Sequence, residues 1–181
     1  MIPAVAHLPD GTLQLTVNNR LAQALRRRHD RQQAALGKQV WPTPDIVPWN
    51  AWLRRQYEQL LDAGLTTRVL LNTHQESLLW EQVVYRSPQG RDLLRPRAAA
   101  SSAQQAWQLC HDWRLDPRQL ARQGNEETRV FLEWHASVQA RCRRDRLLTP
   151  AELPGLLIEA LREHPAPAPE RIRLWGFNGL T

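Results

Sequence analysis

The chain has 181 residues, 42% of them hydrophobic and 23% charged, which fits a soluble globular protein with one core or two small ones. No stretch approaches the roughly 18 uninterrupted apolar residues of a membrane span, so we expect a cytoplasmic protein with no membrane partner. The net charge of +6 permits a polyanionic partner, and residues 1–41 carry +4 of it, from six basic and two acidic groups.

The first predicted strand occupies residues 13–17 and runs at a polar turn into an amphipathic helix over residues 19–36. In nucleotide-binding α/β proteins such a junction holds phosphates, because glycines expose backbone N–H groups and a Lys and a Ser/Thr supply charge and a magnesium ligand. This turn has Asn18 and Asn19, with no glycine and no lysine. Either asparagine is placed to cap the helix, and Gly37 is placed to end it.

The helix after this turn is apolar on one side and rich in arginine on the other. Arginines on a helix face can contact the phosphates of a nucleic acid. A solvated helix face is the alternative, since three successive residues point in different directions and cannot all share one side. The arginines that we predict as DNA contacts are Arg20, Arg26, Arg27 and Arg31.

Residues 38–41 are predicted to form a second strand, stopped by the prolines that follow, and this completes a right-handed βαβ unit with parallel pairing. A helix is predicted over residues 49–63. Trp41 and Trp49 flank the proline-rich turn, and together with Thr43 they are further candidates for DNA contact, by base stacking in the case of the tryptophans. Helical periodicity predicts core packing for Trp80, Trp107, Trp113 and Trp134.

Residues 65–164 contain several amphipathic helices and no convincing strand. Two Thr-x-x-Glu patterns, at residues 73–76 and 149–152, predict capping boxes, and Asn125 is placed to cap a long helix. A proline-rich connector at residues 164–170 then leads to a predicted strand over residues 171–175. The simplest architecture is a parallel sheet with strands near both ends of the chain and a helical block between them.

No pattern of catalytic or metal-ligating residues is found. The phosphate-loop pattern GxxxxGK[ST] is absent, and the last strand runs into Gly176 and Phe177 without the acid that would hold magnesium. The six histidines lack paired metal spacing, and Cys110 and Cys142 are predicted to be small core residues. We therefore predict no metal, no cofactor and no catalytic residue in this chain.

Taken in order, these features resemble the N-terminal region of bacterial DNA repair proteins of the PD-(D/E)XK nuclease superfamily, related to the AddB-type subunits of helicase–nuclease complexes. The segments that carry the resemblance are TVNNRLA at residues 16–22, VWPTPDIVPW at 40–49, LNTHQE at 71–76 and LWGF at 174–177. The resemblance covers essentially the whole chain.

The resemblance implies a degenerate RecA-like α/β fold of the P-loop NTPase type, interrupted by an all-helical insertion. The α/β domain would cover residues 1–64 and resume at 165–181, with the insertion at 65–164. The C-terminal remainder of a longer parent protein would carry the nuclease signature.

In active helicases of this kind the phosphate loop lies at the first strand–helix junction, and the magnesium-binding acid follows the strand after the insertion. The resemblance therefore implies that Asn18, Asn19, Gly176 and Phe177 occupy degenerate nucleotide-site positions. It also implies that the turn containing Trp41 and Thr43 approaches single-stranded DNA.

Two functional hypotheses follow. In the first, the chain is a non-catalytic helicase-like module that contributes DNA binding or assembly to a repair nuclease, with single-stranded DNA or a duplex end as the ligand. In the second, it is a protein-interaction scaffold whose helical insertion docks a partner subunit of a helicase–nuclease complex. An exposed apolar patch on the insertion, with dispersed basic residues, would favour the second.

Overall fold

A computed structural model describes residues 11–164 and 169–178, apart from the side chains of residues 118 and 123. Residues 165–168 of the predicted connector therefore lie outside the described residues. The elements, in chain order, are β1 (Thr12–Thr16), α1 (Asn19–Ala35), β2 (Ile46–Pro48), α2 (Trp49–Asp62), β3 (Val69–Leu70), α3 (Thr73–Arg86), α4 (Pro88–Arg91), α5 (Pro96–Asp112), α6 (Pro117–Gln123), α7 (Glu126–Asp145), β4 (Leu147–Leu148), α8 (Leu153–Glu163) and β5 (Arg171–Trp175).

The chain divides into two compact units. One runs to Leu60 and resumes at Ala160, and the other spans Leu61–Glu159. The first unit contains a three-stranded parallel sheet in the order β2-β1-β5, and the second is mainly helical. The predicted mixed α/β class with a parallel sheet is confirmed.

Strand β1 is the centre of the sheet, and all five of its residues are buried. It pairs in parallel with β2, with Gln14 opposite Ile46, and with β5, with Gln14 opposite Arg173. The predicted parallel βαβ unit is thus confirmed, and so is the predicted strand at residues 171–175.

The prediction of a strand at residues 38–41 is wrong. Val40 in that segment is 88% exposed, and β2 forms instead at Ile46–Pro48, beyond the first two prolines of the turn. The position beside β1 goes to Ile46 because its side chain packs with Ala22 and Leu25 of α1. Pro48 is tolerated since β2 is an edge strand.

Helix α1 begins and ends as its sequence predicts. The Asn18 side chain accepts a hydrogen bond of 2.9 Å from the Leu21 N–H, which satisfies one of the donors that every helix N-terminus leaves open. Gly37 follows the last turn with φ of +75°, a left-handed conformation that favours glycine.

The helical unit packs around tryptophans of α3, α5 and α7. Trp80, Trp107 and Trp134 are buried in one core with Val84 and Val138, as their periodicity predicts. The same prediction is wrong for Trp113, which is 64% exposed because it follows the last turn of α5. Cys110 and Cys142 are buried free thiols, as expected.

Two local predictions for this unit need correction. β3 and β4 form a two-stranded parallel sheet, which periodicity cannot reveal because each strand has only two residues. The first capping box lies one residue earlier than expected, between Asn72 and Gln75, with two hydrogen bonds of 2.9 Å. At residues 149–152 the Glu152 carboxylate accepts hydrogen bonds from the Thr149 N–H and hydroxyl, in the turn before α8.

Across the described part of the chain, no helix combines the length and the apolar character that crossing a membrane requires.

The core of the helical unit holds two imidazoles against one indole. The Trp107 ring lies 4.0 Å from that of His111 and 4.1 Å from that of His135, centroid to centroid. Both histidine Nε2 atoms are buried and lack a hydrogen-bond partner among the described residues. Burial lowers the pKa of both histidines below the ordinary 6.5, and for His135 the neighbouring His111 lowers the pKa further.

We expect His111 and His135 to destabilise the helical unit on mild acidification, while Glu76, whose pKa burial raises, acts in the opposite direction. Below pH 6.5 the unfolded chain binds protons that the folded histidines resist, so the free energy of unfolding falls until the lower folded-state pKa is reached. Each histidine contributes at most about 1.4 kcal/mol per pH unit. Urea unfolding at pH 7.5 and pH 5.5 measures the effect.

His135→Phe should weaken this pH dependence, since a phenyl ring fills the site without titrating. The exposed His74→Gln is the matched control. An unchanged pH dependence in His135→Phe would contradict the assignment.

Candidate nucleic-acid interface

The positions predicted as a degenerate nucleotide site lie at the carboxyl edge of the sheet in the first unit, where β1 and β5 end side by side. The Val17 N–H donates a 3.1 Å hydrogen bond to the Trp175 carbonyl, which extends the pairing of the two strands by one residue. The buried Thr16 hydroxyl donates to the Asn18 carbonyl at 2.9 Å. The structure thus brings the positions predicted as a degenerate nucleotide site, Asn18 and Asn19 after β1 and residues 176–177 after β5, to the same edge of the sheet.

The space beside Gly176, next to the end of β1, is occupied by apolar side chains. Gly176 has φ of +77°, and a Cβ built on it would lie 2.9 Å from Leu21 Cδ2 and 3.0 Å from Val17 Cγ1. Only a glycine fits there without displacing its neighbours. The contacts of this junction are therefore packing contacts between Val17, Leu21 and the backbone at Gly176.

The asparagines of the junction have structural positions. The Asn18 carboxamide oxygen is engaged as the helix cap, while Asn19 is exposed as the first residue of α1. Phe177 is half-buried beyond the end of β5. A phosphate bound at this junction would compete with the Asn18 carboxamide oxygen for the N–H groups at the start of α1.

Three of the four predicted arginines lie on one face of α1. At 100° per residue, Arg20, Arg27 and Arg31 fall within about 40° of one another, spaced by about 10 Å and about 6 Å along the helix axis. All three are exposed. They lie opposite the face that buries Ala22 and Leu25, so this arginine stripe points away from the sheet.

The side chain of the fourth arginine, Arg26, is directed toward strand β2. It is half-buried, and its Nη2 donates a hydrogen bond to the Ile46 carbonyl of β2. Its Nε is buried without a partner among the described residues. Arg26 therefore fastens α1 to β2, and it does not lie on the arginine stripe.

Helix stability does not explain the stripe. Arg20 is the second residue of α1, beside the positive end of the helix dipole, and the first turn has no acidic residue. The Arg31 Nε donates to the Arg27 carbonyl at 3.3 Å, so the Arg31 side chain lies back toward Arg27. Like charges one turn apart destabilise a helix by about 0.2–0.5 kcal/mol, and an anion shared between them would remove that repulsion.

The aromatic candidates are held by neighbouring residues. The half-buried Trp41 donates its indole N–H to Asp30 of α1 at 2.9 Å, and Trp49 stacks on Trp52 with ring centroids 5.3 Å apart. Thr43, between them in sequence, is exposed.

Sequence reasoning missed two contacts that shape this site. Asp45 and Arg55 form a bidentate ion pair of 3.0 and 3.1 Å beside β2, and the Trp175 indole N–H donates to the buried Gln14 side chain at 3.0 Å. Asp45 and Arg55 are ten residues apart, and no sequence motif predicts that they form an ion pair. The second joins residues 161 positions apart and depends on the pairing of β1 with β5.

No protein-family model matches this chain, and no curated protein matches its sequence.

Two glycines test the packing of the junction. Gly37→Ala and Gly176→Ala both put a side chain in the left-handed region, at a cost of about 1–2 kcal/mol. Only at Gly176 does the new Cβ also collide with neighbours, because nothing lies within 4 Å of the corresponding position at Gly37. We expect Gly176→Ala to lower the free energy of unfolding by at least about 1 kcal/mol more than Gly37→Ala, as measured by urea denaturation. Equal losses would show that the junction is not close-packed.

Proposed function

We propose that this chain is a non-catalytic, helicase-like N-terminal module of a DNA repair or recombination nuclease and that it contributes DNA binding. Its fold would be a degenerate RecA-like domain of the P-loop type with a helical insertion. The order of elements supports this proposal, since parallel strands β1 and β2 are followed by a helical unit before β5 returns to the edge of β1. The nuclease would lie in the C-terminal remainder of the parent protein.

The observation that carries the DNA-binding part is the arginine stripe of Arg20, Arg27 and Arg31. Phosphate contacts supply most of the sequence-independent affinity of a protein for DNA, and arginine is suited to them because its planar guanidinium can donate two hydrogen bonds to one phosphate. Three exposed guanidinium groups on one side of α1 offer a row of such contacts. Of the aromatic candidates, Trp41 lies beside Asp30 in the second half of α1, whereas Trp49 begins α2 at the carboxyl edge of the sheet, and Thr43 is exposed between them in sequence.

The proposal that the module is non-catalytic has support at the junction. Asn18 caps α1, while Val17 and Leu21 fill the space against Gly176. Phosphate binding there would require these groups to move. Adding ATP and magnesium should therefore leave the melting temperature unchanged.

Neighbouring arginines distinguish DNA contact from structural support. Three phosphate contacts predict a slope of log affinity against log salt of about −2 for single-stranded DNA, and Arg27→Ala should reduce it to about −1.4. Arg26→Ala should leave the slope unchanged but lower the free energy of unfolding, because it removes the hydrogen bond to β2. Fluorescence anisotropy with a labelled oligonucleotide at several salt concentrations measures the slopes.

Arg54→Ala, on an exposed position of α2, is the matched control for loss of one positive charge. If Arg54→Ala and Arg27→Ala weaken binding equally, the stripe is not a site and the attraction reflects net charge alone. If the wild-type protein does not bind DNA at low salt, the proposal of DNA binding fails.

A second function is favoured by the surface of the helical unit. Leu109 and Trp113, at the end of α5, are four residues apart and exposed, and Leu115 follows them, also exposed. Exposed large apolar side chains grouped in this way are typical of protein-binding surfaces. We propose as the alternative that the helical unit docks a partner subunit of a helicase–nuclease complex, without direct DNA contact by the chain.

Site-specific photocrosslinking separates the two functions. A photoreactive amino acid in place of Arg27 should crosslink nucleic acid if the stripe binds DNA, whereas one in place of Trp113 should crosslink protein if the helical unit docks a subunit. The exposed position of His74 in α3 is the control. Crosslinking of protein at residue 113 with no nucleic acid at residue 27 would favour the scaffold over the DNA-binding module.

A further inference from the structure

Asp30 is the one acidic residue of α1, a helix that carries five arginines. Arg26 and Arg27 precede it by four and three residues, the spacing at which an acid on a helix ordinarily finds an ion pair. Among the described residues, however, Asp30 takes part in no ion pair. Its carboxylate accepts a 2.9 Å hydrogen bond from the indole N–H of Trp41, eleven residues further along the chain. The acid is therefore committed to an aromatic side chain and not to the arginines beside it.

This hydrogen bond holds the Trp41 ring by its edge. Trp41 is half-buried and belongs to a segment, residues 36–45, that forms no helix or strand, so regular backbone structure does not fix the ring. Within the described ranges no other aromatic ring contacts it, whereas Trp49 is stacked on Trp52. An indole that is fixed at its N–H edge keeps its face for another planar ring.

Asp30 lies on the flank of the arginine stripe. Helix geometry turns Asp30 by about 60° from Arg27 and advances it by about 4.5 Å, which separates the two by about 7 Å over the surface of α1. The Trp41 ring meets the helix on this flank. A phosphate on Arg27 or Arg31 and a base on Trp41 are thus within the reach of one nucleotide.

The charge of Asp30 by itself opposes the binding of DNA. An acid about 7 Å from a bound phosphate lowers the affinity about twofold in water at physiological salt. Stacking of a base on an aromatic ring raises the affinity by roughly fivefold to a hundredfold. Holding Trp41 ready for a base therefore outweighs the repulsion that the same carboxylate causes.

We infer that Asp30 is a positioning residue, which holds the ring of Trp41 so that an unpaired base stacks on it while the arginine stripe binds the adjoining phosphates. This role rests on the proposed function and narrows its ligand to single-stranded nucleic acid. Bases inside a duplex stack on one another and do not present a face to the protein.

Two substitutions that remove the same charge test the role of Asp30 on the full chain. Asp30→Asn keeps a side-chain oxygen that can accept from the indole, whereas Asp30→Ala does not. We expect Asp30→Ala to bind a labelled oligothymidylate at least threefold more weakly than Asp30→Asn, measured by fluorescence anisotropy. Alanine is the better helix former, so weaker binding would not reflect a loss of α1. Equal affinity of the two variants would overturn the assignment.

Two controls separate positioning from charge. Phenylalanine can stack but has no N–H, so in the Trp41→Phe background the two Asp30 substitutions should have equal effects. An abasic oligonucleotide of the same length keeps the phosphates and lacks the bases, so it should bind Asp30→Asn and Asp30→Ala equally. A difference that persists in either control would overturn the positioning role.

The wild-type chain separates this role from the proposed function. Binding of oligothymidylate by the wild type, with equal affinity of the two Asp30 variants, would overturn only the role of Asp30. Absence of any binding at low salt would overturn the proposed function as well. Circular dichroism checks folding. If Asp30→Ala does not fold, Trp41→Phe decides, since it should weaken binding of oligothymidylate and leave binding of the abasic strand unchanged.

Discussion

The buried strand β1 is the constraint on which the first unit depends. A buried backbone must have its N–H and C=O groups paired, and a central strand needs a partner on each side. One partner, β2, follows directly after α1. The other partner, β5, begins more than 150 residues after the end of β1. In the sequence the helical unit lies between β2 and β5, so β1 gains its second partner only after the chain has passed through that unit.

The same pairing determines what each face of α1 can do. Its apolar side packs with Ile46, and Arg26 reaches the carbonyl of that residue, so both contacts exist only because β2 lies beside β1. Once that face is committed, Arg20, Arg27 and Arg31 are left on the opposite side in solvent. The proposed DNA contacts are thus a consequence of how the helix is fastened, as much as of its composition.

At the carboxyl edge the strands end against packing and capping groups. Gly176 approaches Val17 and Leu21 closely enough that a side chain would collide, and Asn18 is engaged at the start of α1. At the carboxyl edge, the position beside Gly176 is therefore taken up by packed side chains.

The sequence by itself determined the features that depend on neighbouring residues. It located β1, β5 and the long helices, and it placed the cap of α1 at Asn18 or Asn19, because periodicity and capping act within a few residues. Tertiary structure decided which segment pairs with β1, and therefore that Ile46 and not Val40 is in the sheet. It also decided that Arg26 leaves the arginine stripe and that Trp113 is exposed. The pairing of β1 and the contact of Arg26 depend on residues distant in the chain, which no local pattern encodes, whereas Trp113 is exposed because α5 ends just before it.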